Sequence, residues 1–263
     1  MSAMAYAMTD SATMLRRNLR HALRYPSLTL AGLMMPIVIL LLFVGVLGDT
    51  LGAGLHGAGG SDAGYVNYVA PGIILMTVAS GCLATAVAVC VDMTGGIINR
   101  FRTMAISRAS LLTGHVLGSM IQTLISTGVV IGVAVLLGFA PTAGPLEWLA
   151  AAGLLVLLAF ALTWLAVLIG LVAKSAESAS NTPLLIQFLP FVSSAFVPVD
   201  SMPAGVRWFA ENQPFTPITE TIRGLLLGTP VGSHAAIAAA WCVGVALISY
   251  FGARAVFNRA RAS

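Results

Sequence analysis

Between Asp92 and Arg108 the chain reads DMTGGIINRFRTMAISR, the one concentration of charge between the second and third of six long apolar stretches. Asp92, Arg100, Arg102 and Arg108 around Phe101 do not make an acid–base pair. An aromatic ring between guanidinium groups is a combination favoured at protein interfaces, and so reads as a place where a partner can push. The same arginines would also serve as a plain positive loop against lipid headgroups. Elsewhere the residues that carry chemistry are missing or misplaced. The nearest approach to a phosphate-binding GxxxxGK[ST] loop is GLVAKS at 170–175, which lacks the second glycine. No HExxH, GxSxG or paired-carboxylate arrangement occurs. His115 and His234 fall near the ends of apolar runs, where a hydrogen-bonded structural histidine is the commoner reading than a proton relay. Cys82, Cys90 and Cys242 sit inside apolar runs without a CxxC or histidine pairing, as small core hydrophobes do. The expectation is a chain that binds no cofactor or metal and catalyses no reaction of its own.

The elements around that segment follow from where charge is absent. The 263 residues are 58% hydrophobic and 8% charged, against about 25% charged in soluble domains. No Asp, Glu, Lys or Arg occurs in 25–48, 63–91, 109–146, 148–173, 178–199 or 224–253. Each run exceeds the roughly 18–20 residues that cover about 30 Å of hydrocarbon at about 1.5 Å per helical residue. A charge near the bilayer centre costs on the order of 3 kcal/mol, so such gaps are what insertion requires. A soluble protein with this composition could not cover its surface. The predicted architecture is all-α and integral to the membrane, one domain over 1–263, with spans at 28–47, 66–90, 111–137, 148–173, 180–198 and 233–253.

Orientation follows from lysine and arginine alone. If all six spans are real, eleven of the thirteen bases fall on one side, and only Arg207 and Arg223 on the other. Both termini are therefore predicted to be cytoplasmic. The net charge of +4 reports topology and contact with anionic lipid rather than nucleic acid. Residues 11–25, SATMLRRNLRHALRY, place Met14, Leu15, Leu19, Ala22 and Leu23 on one face and Arg16, Arg20 and Arg24 on another. That fits an interfacial helix capped by Asp10 or Ser11 and ended by Pro26, or simply a positive anchor. A signal peptide has a shorter apolar core than 28–47, so a retained span is expected. Twelve arginines against one lysine, with abundant alanine and glycine, suggest a GC-rich bacterial gene.

Pro190 and Pro198 should kink or break the fifth span. Residues 200–230 mix apolar and charged residues and cannot cross. They are expected to form short helices dipping into the outer interface, or else a solvated loop. The spans offer few hydrogen-bonding groups to a solute, and Gln122, Gln187, Ser193 and Ser194 are candidate pathway residues among them. Ion-coupled carriers usually hold an ionisable group at mid-membrane, and none of these spans has an Asp, Glu, Lys or Arg.

Three stretches together resemble the permease subunits of type-2 ATP-binding-cassette (ABC) exporters, most of all the daunorubicin/doxorubicin-resistance-type permeases of actinobacteria. They are RYPSLTLAGLMMPIVILLLFVGVLG after the N-terminal helix; YVAPGIILM with DMTGGIINRFRTMAISRASLLTGHVLG; and PFVSSAFVPVDSMPAGVRWFAENQPFTPITETIRGLLLG. The resemblance implies a multidrug-efflux permease in the bacterial plasma membrane, working by alternating access. It implies a second permease, identical or a sister chain, and a cytoplasmic ATPase that holds the ATP and magnesium. It assigns a coupling helix at 92–107, with Asp92, Gly96, Asn99, Arg100, Phe101, Arg102 and Met104 docking on that ATPase. Asn99 and Ala105 depart from the acid and the proline typical of the family there. It assigns an outer re-entrant hairpin in which Pro198, Met202, Pro203, Asn212, Pro214 and Arg223 gate the pathway or cap the fold. The expected substrate is a hydrophobic or amphipathic small molecule such as an antibiotic. Alternatives are a lipid or glycolipid exporter of the same class, a stand-alone ion-coupled carrier, or a non-transporting membrane subunit. Topology is checked by cysteines placed one at a time in a variant lacking the native three. An impermeant thiol reagent on whole cells should label position 57 and spare position 100; the reverse pattern overturns the orientation.

Overall fold

The computed structural model describes the backbone of residues 26–46, 48, 62–94 and 108–259 and the side chains of 33–46, 48, 64–94 and 116–256. The N-terminal helix expected at 11–25, the histidine side chain at 115 and most of the expected coupling helix lie outside the described residues. So do Gly96, Asn99, Arg100, Phe101, Arg102 and Met104.

The described residues are helical: α1 Pro26–Leu41, running into a π-helical turn at Leu42–Val46; α2 Asp62–Thr94; α3 Arg108–Leu136; α4 Pro145–Val172; α5 Ala176–Phe188; α6 Ala204–Asn212; α7 Phe215–Leu227; and α8 His234–Arg259. Within α2, α3, α4 and α8 lie four stretches long and apolar enough to cross a membrane. In chain order these fall in the second, third, fourth and sixth charge-free runs. The fifth run differs. Its helix ends at Phe188, a 3₁₀ turn follows at Leu189–Val192, and residues 193–196 form a tight turn. Pro190 is the cause, because it has no N–H to give the Ile186 carbonyl; the Leu189 N–H reaches that carbonyl in a tighter turn instead.

Helix α2 lies at the centre. Every residue from Val69 to Ala79 is buried, and α1, α3, α4, α5 and α7 all pack against it. A helix apolar on all sides can be enclosed on all sides. Helices α3 and α8 are peripheral and leave Ile125, Leu136, Ile248 and Phe251 exposed, as faces turned to lipid would be.

Lipid tails are as apolar as leucine, so helices in a bilayer gain little by hiding leucines from their surroundings. Close packing at small residues has to supply the cohesion, and α2 provides it on several faces. A Cβ on Gly72 would come 2.5 Å from the Ala195 Cβ, and one on Gly170 of α4 would come 2.6 Å from the Ala86 carbonyl oxygen. Gly81 is closed in the same way by Thr123 of α3. Polar side chains hide their own donors: the hydroxyls of Thr77, Thr85, Thr127 and Thr163 each donate to the carbonyl four residues back. The Cys82 thiol lies 3.4 Å from the Leu162 carbonyl oxygen, again between α2 and α4. By contrast, Cβ atoms on Gly128 and Gly132 would meet nothing within 4 Å. Gly72→Val and Gly170→Val should therefore each destabilise the purified chain by about 1–3 kcal/mol. Gly128→Ala should be neutral or stabilising by up to about 1 kcal/mol. Thermal denaturation in detergent separates the two classes; equal losses at all three sites would contradict this packing.

Candidate functional site

The described residues that converge best lie at the end of α2 nearest its first turn, where the broken α5 and helix α7 meet it. Arg223 is the hub, a guanidinium only 8% exposed. Its Nη2 donates to the Ser194 carbonyl at 2.7 Å and to the Tyr68 carbonyl at 3.0 Å, and Nε also points to the Tyr68 carbonyl at 3.3 Å. Nη1 pairs with Glu220, one helical turn back, at 2.8 Å. The guanidinium carbon sits 4.0 Å from the centre of the Tyr68 ring, and the Tyr68 hydroxyl donates to the same Ser194 carbonyl at 3.0 Å. One cation thus holds three separate segments.

Pro71 has no N–H for the Asn67 carbonyl; the carbonyl that Arg223 binds is the next one, that of Tyr68, to which the guanidinium is an additional donor. The Asn67 side chain turns outward and accepts from the Ala140 N–H at 3.0 Å, fixing the α3–α4 connection. The Ser194 carbonyl is available because the tight turn after Pro190 has ended the helix. In that turn the Ser193 hydroxyl donates to the Pro190 carbonyl at 2.6 Å and accepts from the Ala195 N–H at 3.1 Å. Helix α7 starts beside it: the buried Gln213 donates to the Val192 carbonyl at 3.4 Å and accepts from the Phe215 N–H at 3.1 Å. The Thr216 hydroxyl donates to the Ala210 carbonyl at 2.6 Å. Helix α7 ends at Gly228, whose φ of 69° is left-handed and free of strain only for glycine. The Thr142 N–H meets the Leu226 carbonyl there at 3.0 Å.

The residues expected in the outer hairpin are distributed along this assembly. Pro198 precedes the 3₁₀ turn Val199–Ser201, Met202 ends it, Pro203 precedes α6 and Pro214 precedes α7. The exposed Asn212 donates to the Trp208 carbonyl at 2.8 Å. Of the six, Arg223 alone sits at the hub. Of the candidate pathway residues, Gln187 on α5 and Gln122 on α3 are half-buried. Helix α3 packs on α1, α2 and α4, and α5 packs on α2 and α4. Ser193 and Ser194 are buried within the turn. Asp92 closes the last full turn of α2 and is half-buried.

Sequence reading missed Tyr68, Gln213 and Glu220. For Glu220 a signal existed, the Glu–x–x–Arg spacing that places two opposite charges on one helical face. For Tyr68 and Gln213 none did, because Tyr68 meets the Arg223 side chain 155 residues away and the Ser194 carbonyl 126 away, and Gln213 meets the Val192 carbonyl 21 away. Also unforeseen was a row of rings joining α1 to the break: Phe43 lies 4.8 Å from Phe196, Phe196 stacks on Phe191 at 4.9 Å with 9° between planes, and Phe188 follows at 6.0 Å.

A helical bundle with long apolar helices, small-residue contacts and its buried cation confined to one end defines a multi-pass membrane protein. Residues 10–227 match the ABC-2 type transporter membrane family, and the chain belongs to that family. It is 26% identical over 256 residues to the daunorubicin resistance ABC transporter permease protein DrrB1 of Streptomyces coeruleorubidus, covering 97% of this chain and 85% of that one. It is 25% identical over 219 residues to the probable doxorubicin resistance ABC transporter permease protein DrrC of Mycobacterium tuberculosis, covering 83% and 77%.

Arg223→Ala leaves the Tyr68 carbonyl and the Glu220 carboxylate without this partner, and a broken buried pair of this kind typically costs about 3 kcal/mol or more. Arg223→Lys keeps the charge but cannot reach both carbonyls and the carboxylate with one ammonium, so it should fall between wild type and alanine. Glu220 is one-third exposed, and Glu220→Gln keeps an acceptor beside Nη1, so it should cost less than Arg223→Ala. Melting temperatures in detergent give the order; a lysine variant as stable as wild type would show that charge alone suffices.

Proposed function

We propose that this chain is the membrane-spanning permease subunit of an ATP-driven ABC exporter that moves hydrophobic or amphipathic compounds, drugs among them, out of a bacterial cell. The observation that carries the proposal is the family match across 218 residues, 10 to 227. It is supported by the printed names of the relatives, which are drug-resistance permeases, and by spans without Asp, Glu, Lys or Arg in a sequence without a phosphate-binding loop. Such a chain has no means of coupling itself to an ion gradient or to ATP, so the energy comes from a partner ATPase that holds the nucleotide and magnesium.

In this reading the chain crosses the plasma membrane six times with both termini in the cytoplasm. Helix α1 with its π-helical turn is the first span, and α5 with its 3₁₀ turn is a broken fifth. Two permeases enclose the pathway between them. The segment 92–107 docks on the ATPase, with Phe101 seated between Arg100 and Arg102. The turn at 193–196 and α7, held on α2 by Arg223, close the outer end. Alternating access then requires a seal stable when closed yet releasable as a unit. One guanidinium gripping carbonyls of two other segments meets that need, because the segments part together when its grip is lost.

Two experiments test the proposal. The purified chain in liposomes should move no solute under a proton or sodium gradient, and adding its ATPase with ATP and magnesium should start export. Replacing the ATPase's phosphate-binding lysine should stop it. A pH-driven flux through the chain alone that His115→Ala removes would make it an ion-coupled carrier instead. Phe101→Ala should weaken assembly with the ATPase by about 2 kcal/mol while leaving insertion normal. Unchanged co-purification and unchanged transport together would reduce the segment to a basic loop.

A further inference from the structure

Among the described residues, three buried side-chain polar atoms have no hydrogen-bond partner: the hydroxyls of Tyr65 and Ser194, and Nε1 of Trp164. The Trp164 indole lies on α4, edge-on to the ring of Tyr250 at 4.9 Å. The two hydroxyls belong instead to the segments that Arg223 fastens together, α2 and the turn at 193–196, and each residue is only 2% exposed. Each has a bonded counterpart close by in the chain. Tyr68 lies one helical turn after Tyr65, and its hydroxyl donates to the Ser194 carbonyl at 3.0 Å. Ser193 precedes Ser194, and its hydroxyl donates to the Pro190 carbonyl at 2.6 Å and accepts from the Ala195 N–H at 3.1 Å.

The turn itself explains why the Ser194 hydroxyl is left over. A carbonyl oxygen has two lone pairs. That of Pro190 already receives the N–H and the hydroxyl of Ser193, and that of Ser194 receives Arg223 and Tyr68. The close fit of Ala195 on Gly72 of α2 holds the backbone in place. A hydroxyl taken from water without a partner destabilises the state that buries it and favours any state that wets it.

We infer that the hydroxyls of Tyr65 and Ser194 are a release device for the seal at this end of the bundle. They have no partner while α2 and the turn are together, and they gain water when the two part. The inference rests on the reading that this end closes the pathway. Arg223 acts in the opposite sense, because its hydrogen bonds are complete only while the segments are joined. The hydroxyls offset part of the cost of breaking that grip, since the same movement restores their hydration. Tyr68 sides with Arg223, and Ser193 keeps the turn in shape. A seal fastened by Arg223 with every hydroxyl bonded would close as well and open less readily.

The test removes one hydroxyl at a time from the full chain, comparing Ser194→Ala and Tyr65→Phe with Ser193→Ala and Tyr68→Phe. In detergent the first two should melt about 2–4 °C above the unsubstituted chain, and the second two about as far below it. Amide hydrogen exchange at 193–196, read by mass spectrometry, should slow about fivefold in the first two and quicken in the second two. In liposomes with the ATPase, ATP and magnesium, Ser194→Ala and Tyr65→Phe should export about fivefold more slowly than the unsubstituted chain. A variant that melts at or below the unsubstituted chain shows its hydroxyl to be already bonded and overturns the assignment for that residue; both doing so overturns the inference. Raised melting temperatures with unchanged export would make the hydroxyls a packing flaw and overturn it as well. Silence of the unsubstituted chain with its ATPase counts against the permease reading instead, and the exchange order then decides whether these hydroxyls drive opening.

Discussion

A guanidinium withdrawn from water must recover its hydration from fixed acceptors, and at Arg223 those acceptors come from three separate parts of the chain. The Tyr68 carbonyl belongs to α2, the Ser194 carbonyl to the turn after the broken α5, and the Glu220 carboxylate to α7 itself. Desolvating the ion costs several kcal/mol, and hydrogen bonds to a charged group return about 1.5–3 kcal/mol each, so the arrangement is stable only when nearly complete. Partial structures gain little. This end of the bundle is therefore set as one unit, and the break at Pro190, the close approach of Gly72 to Ala195 and the start of α7 at Gln213 all support it.

Two features that weaken a helix elsewhere are put to use here. Pro71 and Pro190 each remove a backbone donor, which in hydrocarbon would leave a carbonyl at a cost of several kcal/mol. At Pro190 the Leu189 N–H takes up the Ile186 carbonyl, and the Ser193 hydroxyl takes up that of Pro190. Irregular backbone at membrane depth is tolerable when it is covered by protein, and α7 provides that cover over residues 192–196. The glycines act in a complementary way. Where Gly72, Gly81 and Gly170 lie, neighbouring segments come close enough for dispersion to hold them, while the open glycines on α3 do nothing of the kind.

Charge is sorted by position. Arg207 pairs with Asp200 and Glu211, and Arg223 with Glu220, in the region between the fifth and sixth charge-free runs. A permease of the ABC-2 family whose charge-free runs hold no Asp, Glu, Lys or Arg can offer a solute shape and apolar surface there but little specific polar recognition. That is consistent with hydrophobic cargo and with energy delivered from outside the membrane.

Much of this was readable in the sequence. The six charge-free runs, the all-helical class and the break at Pro190 follow from local rules: hydrocarbon excludes charge, and proline lacks a donor. Arg100, Phe101 and Arg102 read as partner-facing by residue type, and they lie outside the described residues. What the sequence could not determine was which backbone atoms would receive the buried cation. Arg223 reads as one of only two bases on the outer side, and nothing near it names Tyr68 or Ser194. The same holds for Ser193, whose hydroxyl bonds to the Pro190 carbonyl and the Ala195 N–H only once the chain has turned. Hydropathy and proline positions act within a few residues of themselves, so one sequence displays them. The acceptors of Arg223 lie 155 and 29 residues away, and only the packing of α7 against α2 and the end of α5 brings them within 3 Å.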